Sequence, residues 1–260
     1  MILFAKKVPR HKRLTGIHHN QGRSQVVDST PYHFDAVSSL ALSNDKSLIY
    51  SGSWDRTFKV WRSSDFKCLE SVTKAHDDAI NTIVVSKEGF IYTGSADKKI
   101  KVWRNNQRDR KHDLIDTLEH HKSAVNALAY DDNLSVLLSG ACSGVMIASE
   151  RNLSSEGDGG HMVIVGVLLG HRKAILCVKI VGELVCSGSA DKTVRLWRRT
   201  EGKSYSCIGV LEGHSGPVKC LAVADESAGD DEGKEYMVYS GSLDCEVKVW
   251  KVWIPFVLVN

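Results

Sequence analysis

A histidine, a serine or threonine and an aspartate recur in the same order four times along this 260-residue chain. The sets are His33, Ser51 and Asp55; His76, Thr93 and Asp97; His171, Ser187 and Asp191; and His214, Ser240 and Asp244. Gathered in one pocket, such residues activate a nucleophile: the imidazole takes the hydroxyl proton and the carboxylate orients the imidazole. The spacing points to another use. Each set ends on a tryptophan, Trp61, Trp103, Trp197 or Trp250, six residues after the aspartate and ten after the hydroxyl residue. A catalytic site needs one activated nucleophile, whereas this set recurs once per repeated unit. A buried polar chain anchored by an indole N–H pins a loop to a strand. The expectation is therefore a structural tetrad in each unit, no catalytic residue and no enzymatic activity.

The elements that carry these residues are themselves repeated. The block SGSWDRTFKVW at 51 returns as TGSADKKIKVW at 93, SGSADKTVRLW at 187 and SGSLDCEVKVW at 240. Upstream lie HFDAV, HDDAI, HRKAI and HSGPV, each opened by the tetrad histidine. A fifth copy, HKSAV at His121, leads to SGACSGVMIAS, where Ser143 and Ser149 replace the aspartate and the tryptophan. Successive histidines are 43, 45, 50 and 43 residues apart. Between these markers the apolar residues follow period two in short β-branched runs, as in AVSSLALS, LIYSGS, FKVWR and CLESV,. Each copy thus reads as four short strands. A four-stranded unit of about 40 to 45 residues cannot bury both faces alone and must stack on its neighbours. The fold class is all-β, a β-propeller of four-stranded blades with five copies visible.

The copies resemble WD repeats, whose hydrogen-bonded tetrad is this His, Ser or Thr, Asp and Trp set. The resemblance covers residues from about 31 to 251. The wording SDFKCLESVTKAHDDAI and YSGSLDCEVKVW is most similar to plant Jingubang-like WD-repeat proteins. One departure is the basic residue after each closing tryptophan, Arg62, Arg104, Arg198 or Lys251, where the family has aspartate. The implied organisation is a basic N-terminal segment at 1–30, a propeller domain at 31–253 and a short apolar tail at 254–260. The copies span about 31–73, 74–119, 120–168, 169–212 and 213–253.

Propellers of the family most often have seven blades, so five copies imply an abbreviated or open ring, either a natural short form or a truncated gene model. Two segments compete to complete the last blade: SQVVDS at 24–29 as its outer strand, or the tail VWIPFVLV as a fourth strand of its own, which leaves the ring open. An open arc exposes apolar faces that favour self-association.

The resemblance implies a non-enzymatic protein-interaction platform, a scaffold or adaptor in plant signalling or transcriptional regulation, cytoplasmic or nuclear. By the same resemblance, partners bind at the turn before each tetrad aspartate and at the start of each innermost strand. The candidate partner-binding residues are Trp54, Ser38, Asn81, Asn126, Lys219 and Leu243. Trp54 has two readings, an interface anchor or packing on a neighbouring loop.

Composition sets further bounds. A net charge of +3 is small for a dedicated polyanion binder,. The run AKKVPRHKR, with Lys6, Lys7, Arg10, Lys12 and Arg13, still supports an alternative, a phosphate- or nucleic-acid-contacting module; it also reads as an import signal or a solvated linker,. Seven cysteines without a close pair read as reduced,. His18, His19, His120 and His121 lack ligand partners at metal spacing, and no glycine-rich phosphate loop appears,. Neither metal nor cofactor is expected, nor a membrane span. The segments ADESAGDDEGKE at 224–235 and SERNLSSEGDGGHM at 149–162 read as solvated loops, the first on the edge opposite the binding residues,.

Overall fold

The structure is a computed structural model that describes residues 32–106, 108–109, 111–152, 161–200, 204–226 and 233–255. Among them, nineteen strands form five antiparallel sheets. The first blade holds β1 (Val37–Leu42), β2 (Leu48–Ser53), β3 (Phe58–Arg62) and β4 (Cys68–Val72). The second holds β5 (Ile80–Val85), β6 (Phe90–Ser95), β7 (Ile100–Asn106) and β8 (Lys111–Leu118). The third holds β9 (Val125–Asp131), β10 (Val136–Ala141), β11 (Met146–Asn152) and β12 (His161–Leu168). The fourth holds β13 (Ile175–Val181), β14 (Leu184–Ser189), β15 (Val194–Arg199) and β16 (Tyr205–Leu211), and the fifth β17 (Val218–Asp225), β18 (Gly233–Ser242) and β19 (Val247–Pro255). Strands within each blade pair in sequence order, and the innermost strands β1, β5, β9, β13 and β17 are neighbours from blade to blade.

Burial follows the stacking. All six residues of β6, β10 and β14 are buried, because a middle blade is covered on both faces,. In β19 exposed and partly buried residues alternate, as a strand covered on one face must,. Four apolar cores fill the four junctions. Between the first two blades, for example, Tyr50, Phe58 and Val60 meet Ile80, Ile83 and Trp103.

The glycine of each S-G-S, T-G-S or S-G-A run lets the next blade approach. A Cβ on Gly52, Gly94, Gly140 or Gly188 would fall 2.5 to 2.9 Å from Ile80, Val125, Ile175 or Val218, the first residue of the following innermost strand. The turn joining the second and third strands needs a left-handed residue, supplied by Arg56, Lys98, Gly144, Lys192 and Cys245 at φ between 68° and 82°,. In the copy that has lost the aspartate, glycine stands there.

The arc does not close. In the fifth blade, β19 runs unbroken through Trp253 to Pro255, so VWIP extends the third strand and does not fold back as a fourth. No turn residue separates Trp250 from Pro255, and Val252 and Ile254 pack into the core against the fourth blade, which holds the chain straight. The fifth sheet therefore has three strands among the described residues. Residues 24–29, 153–160, 227–232 of the acidic segment and 256–260 lie outside the described residues, while the ends of the 149–162 stretch, expected as solvated loop, belong instead to β11 and β12, where Ser149, Arg151 and Met162 are buried at the blade junctions.

Candidate functional site

Each tetrad is a directed chain of hydrogen bonds. In the first blade the Trp61 indole N–H donates to Ser51 Oγ (2.8 Å), Ser51 Oγ lies 2.7 Å from His33 Nε2, and His33 Nδ1 lies 2.9 Å from Asp55. Because the carboxylate only accepts, Nδ1 carries the proton and Nε2 accepts from the hydroxyl. The second, fourth and fifth blades repeat these distances within 2.7 to 2.9 Å. The hydroxyl residues are buried in all four, and each hydroxyl oxygen already accepts the indole proton. A substrate carbonyl has no approach to it.

The aspartate also organises the loop. Asp55 Oδ2 accepts the Phe34 N–H, and Asp97, Asp191 and Asp244 accept the corresponding N–H groups of Asp77, Arg172 and Ser215. The second serine of the run reaches the same loop: Ser53, Ser95 and Ser189 donate to the carbonyls of Asp35, Asp78 and Lys173. Burial raises the pKa of Asp97, but hydrogen bonds from His76 and the backbone outweigh it and leave the carboxyl at about 2. The same contest holds Asp55, Asp191 and Asp244 below the usual carboxylate range. In the third blade only the His121 Nε2 to Ser139 Oγ contact (2.7 Å) survives. Buried without a carboxylate, His121 is pushed down to about 4.

These networks place the H-x-x-A loop and the turn before the aspartate side by side. The backbone N–H groups of Trp54, Ala96, Cys142, Ala190 and Leu243 donate to Ala36, Ala79, Ala124, Ala174 and Pro217. All five blades thus present one common edge built from these two segments.

The expected partner-binding residues divide on that edge. Ser38, Asn81 and Asn126 sit at the irregularity that opens each innermost strand. Their donors bridge to the next blade: Ser38 Oγ to the Ile80 carbonyl, Asn81 Nδ2 to Val125 (3.0 Å) and Asn126 Nδ2 to Ile175 (3.1 Å). Lys219, at the same position of the fifth blade, meets no following blade among the described residues and is exposed. Trp54 and Leu243 are also exposed, at the two ends of the arc. The structure brings the three bridging residues together with neighbouring blades and leaves the other three facing outward.

A charge pattern on the edge escaped the sequence reading. The two variable letters of the H-x-x-A loop change from acidic to basic along the chain: Asp35 in the first blade, Asp77 and Asp78 in the second, then Lys122, Arg172 and Lys173 in the third and fourth. With Lys192 and Lys219 they form a basic side of the edge. All five cations are exposed, and none forms an ion pair with a carboxylate among the described residues. On the acidic side Lys99 is held by Glu119 at 2.8 Å, while Arg56 and Lys98, at the positions of Lys192, are exposed there as well.

The sequence model described as WD domain, G-beta repeat matches residues 24–62, 66–104, 112–147, 162–198 and 205–251, most of the chain. The chain belongs to this WD40 family. Similar relatives include pre-mRNA-processing factor 19 homolog 2 of Arabidopsis thaliana, 44% identical over 23% of this chain and 12% of the relative. Cell division control protein 4 of Candida albicans is 30% identical over 36% of this chain and 12% of that protein. Mitochondrial division protein 1 of Aspergillus clavatus is 39% identical over 25% of this chain and 8% of that protein. The similarity thus spans about an eighth or less of each relative's length.

Two further features of this WD40 chain bear on chemistry. His214, Asp244 and Glu246 offer ligand atoms close together, but His214 Nδ1 and Asp244 Oδ2 bond each other at 2.7 Å and Glu246 pairs with Lys248 at 2.7 Å. A cleft of about 1180 Å³ lies among the third, fourth and fifth blades, lined by Leu134, Ile180, Arg198, Tyr205 and Trp253. Its two arginines are engaged, Arg198 with Glu183 at 2.9 Å and Arg199 with Glu150 at 3.6 Å, and the lining is otherwise largely apolar.

Proposed function

We propose that this WD40 chain is a non-enzymatic platform that holds other proteins by their acidic segments on the basic side of the tetrad edge. The observation that carries this reading is the row of Lys122, Arg172, Lys173, Lys192 and Lys219, exposed and unmatched by carboxylates among the described residues. Cations left without partners on a rigid edge raise the local concentration of an acidic ligand and set its orientation. Leu243 and Trp54, exposed on the same edge, add apolar contacts of the kind that anchor interfaces,.

The relatives are named for three different processes, pre-mRNA processing, cell division and mitochondrial division. What they support in common is a platform role. The likeness of SDFKCLESVTKAHDDAI and YSGSLDCEVKVW to plant Jingubang-like proteins supports placing that platform in plant signalling or transcriptional control, in the cytoplasm or nucleus, with residues 31–253 as the working domain.

Hydrogen exchange with and without a soluble Glu/Asp-rich peptide tests the proposal. Slower exchange in the loops at 171–175 and 189–193, with the opposite edge unchanged, is the expected result. No protection there overturns it, and protection only by an RNA oligonucleotide overturns it in favour of a nucleic-acid-contacting module.

A further inference from the structure

The four internal junctions repeat one contact. The later strands of each blade press a Tyr, Leu or Cys and two following apolar residues against the innermost strand of the next blade. The first apolar residue of the third strand is Phe58, Ile100, Met146 or Val194, at 0, 3, 0 and 0% exposure. Its counterpart in the fifth blade, Val247, is 73% exposed. On the receiving side, the innermost-strand residues Ile83, Leu128, Val178 and Leu221 are 2, 6, 4 and 7% exposed. Their counterpart in the first blade, Leu40, is 67% exposed.

The bare faces match in detail. Gly241 has the same place as the four glycines that admit the next blade, yet a Cβ there would meet only Cys220 of its own blade. The residue missing from that space corresponds to Val37, which is exposed at the other end of the arc. Lys219 stands where Ser38, Asn81 and Asn126 bridge to a carbonyl of the next blade, and the corresponding carbonyl belongs to Val37. Tyr239, Val247 and Val249 form the donor face. Val37, Leu40 and Leu42 are the exposed apolar residues of the receiving strand.

We propose that the outward face of the fifth blade docks on the first-blade face of a second copy of this chain, forming a fifth junction of the kind already present four times within each copy. The chain itself supplies the partner surface: each bare face is the half of a junction whose other half the same molecule carries at its opposite end. Such a contact is heterologous, so it leaves one donor and one receiving face available for further copies unless the ring closes. It shares only Lys219 with the acidic-segment reading and otherwise uses blade faces and not the cationic loops, so either can fail without the other.

The test is molar mass by light scattering during gel filtration, on the whole chain and on Leu40→Asp and Val247→Asp. Both substitutions fall at exposed positions, and circular dichroism confirms that each variant keeps its sheet signal. The wild type is expected at twice 28.7 kDa or more, and each variant alone at 28.7 kDa. Mixing the variants restores one intact junction, since Leu40→Asp retains its fifth-blade face and Val247→Asp its first-blade face. The mixture is expected to give a one-to-one dimer. A monomeric wild type, a single variant that still self-associates, or a mixture that stays monomeric overturns the proposal.

Discussion

Asn126 Nδ2 donates to the Ile175 carbonyl at 3.1 Å, across the junction between the third and fourth blades. A residue expected to greet a partner thus ties two blades together. Asn126→Ala removes a hydrogen bond and leaves the carbonyl unmet, at a cost of about 1 kcal/mol. Urea unfolding is expected to show that loss, while affinity for an acidic peptide is unchanged. A loss of affinity with no loss of stability would return Asn126 to the binding surface.

The tetrad makes a sharper stability prediction. Ser187 Oγ accepts from Trp197 Nε1 and lies 2.8 Å from His171 Nε2, all three side chains being buried. Ser187→Ala strands both neighbours, and each unsatisfied buried group costs about 1 to 3 kcal/mol. The midpoint of urea unfolding is expected to fall accordingly, more than for Asn126→Ala.

Where the third blade lacks its tryptophan, another residue covers the junction. The Arg151 guanidinium lies over the Phe90 ring at 3.3 Å from the centroid, its Nη2 donates to Tyr92 Oη at 2.5 Å, and Tyr92 stacks on Tyr130. Arg151 side-chain burial is nearly complete, so Arg151→Ala opens a cavity and loses the cation–π contact, for about 2 to 4 kcal/mol,. Arg151→Met refills most of the volume and is expected to recover a large part of that loss in thermal unfolding.

Acid should weaken the fold in two stages. The folded pKa of His121 is lowered from 6.5 to about 4, so the unfolded chain binds more protons in that window and stability falls as pH drops from about 6.5 to 4,. The folded pKa of Asp97 is lowered from 3.8 to about 2, which extends the decline from about pH 4 toward 2,. His121→Gln is expected to shrink the upper stage of the Tm profile, to which His171, likewise held down by burial, still contributes, and to leave the lower one,.

The repeat made most of the fold legible. The tetrad residues, the period of about 43 to 50 residues and the β-branched runs place four of the five blades strand by strand. The exception is the end of the chain: VWIPFVLV is a continuous apolar run with no period to read, and only packing of Val252 and Ile254 on the fourth blade decides that VWIP extends β19. The proposed binding edge was half legible. Trp54, Lys219 and Leu243 face outward, as a turn or strand-start position allows. Ser38, Asn81 and Asn126 have the right residue types, but a carbonyl more than 40 residues away claims each donor, and no local pattern announces such a partner. The basic side of the edge was written plainly in HKSA and HRKA, and required only comparing the variable letters between copies.

The central claim, an edge that holds acidic segments, is tested most directly by fluorescence anisotropy of a labelled Glu/Asp-rich peptide titrated with the wild type and with the double variant Arg172→Glu and Lys173→Glu. The account predicts saturable binding by the wild type that weakens as salt rises, and a loss of about tenfold or more in the double variant, because two attractive charges become repulsive. Equal affinity in both proteins would contradict it.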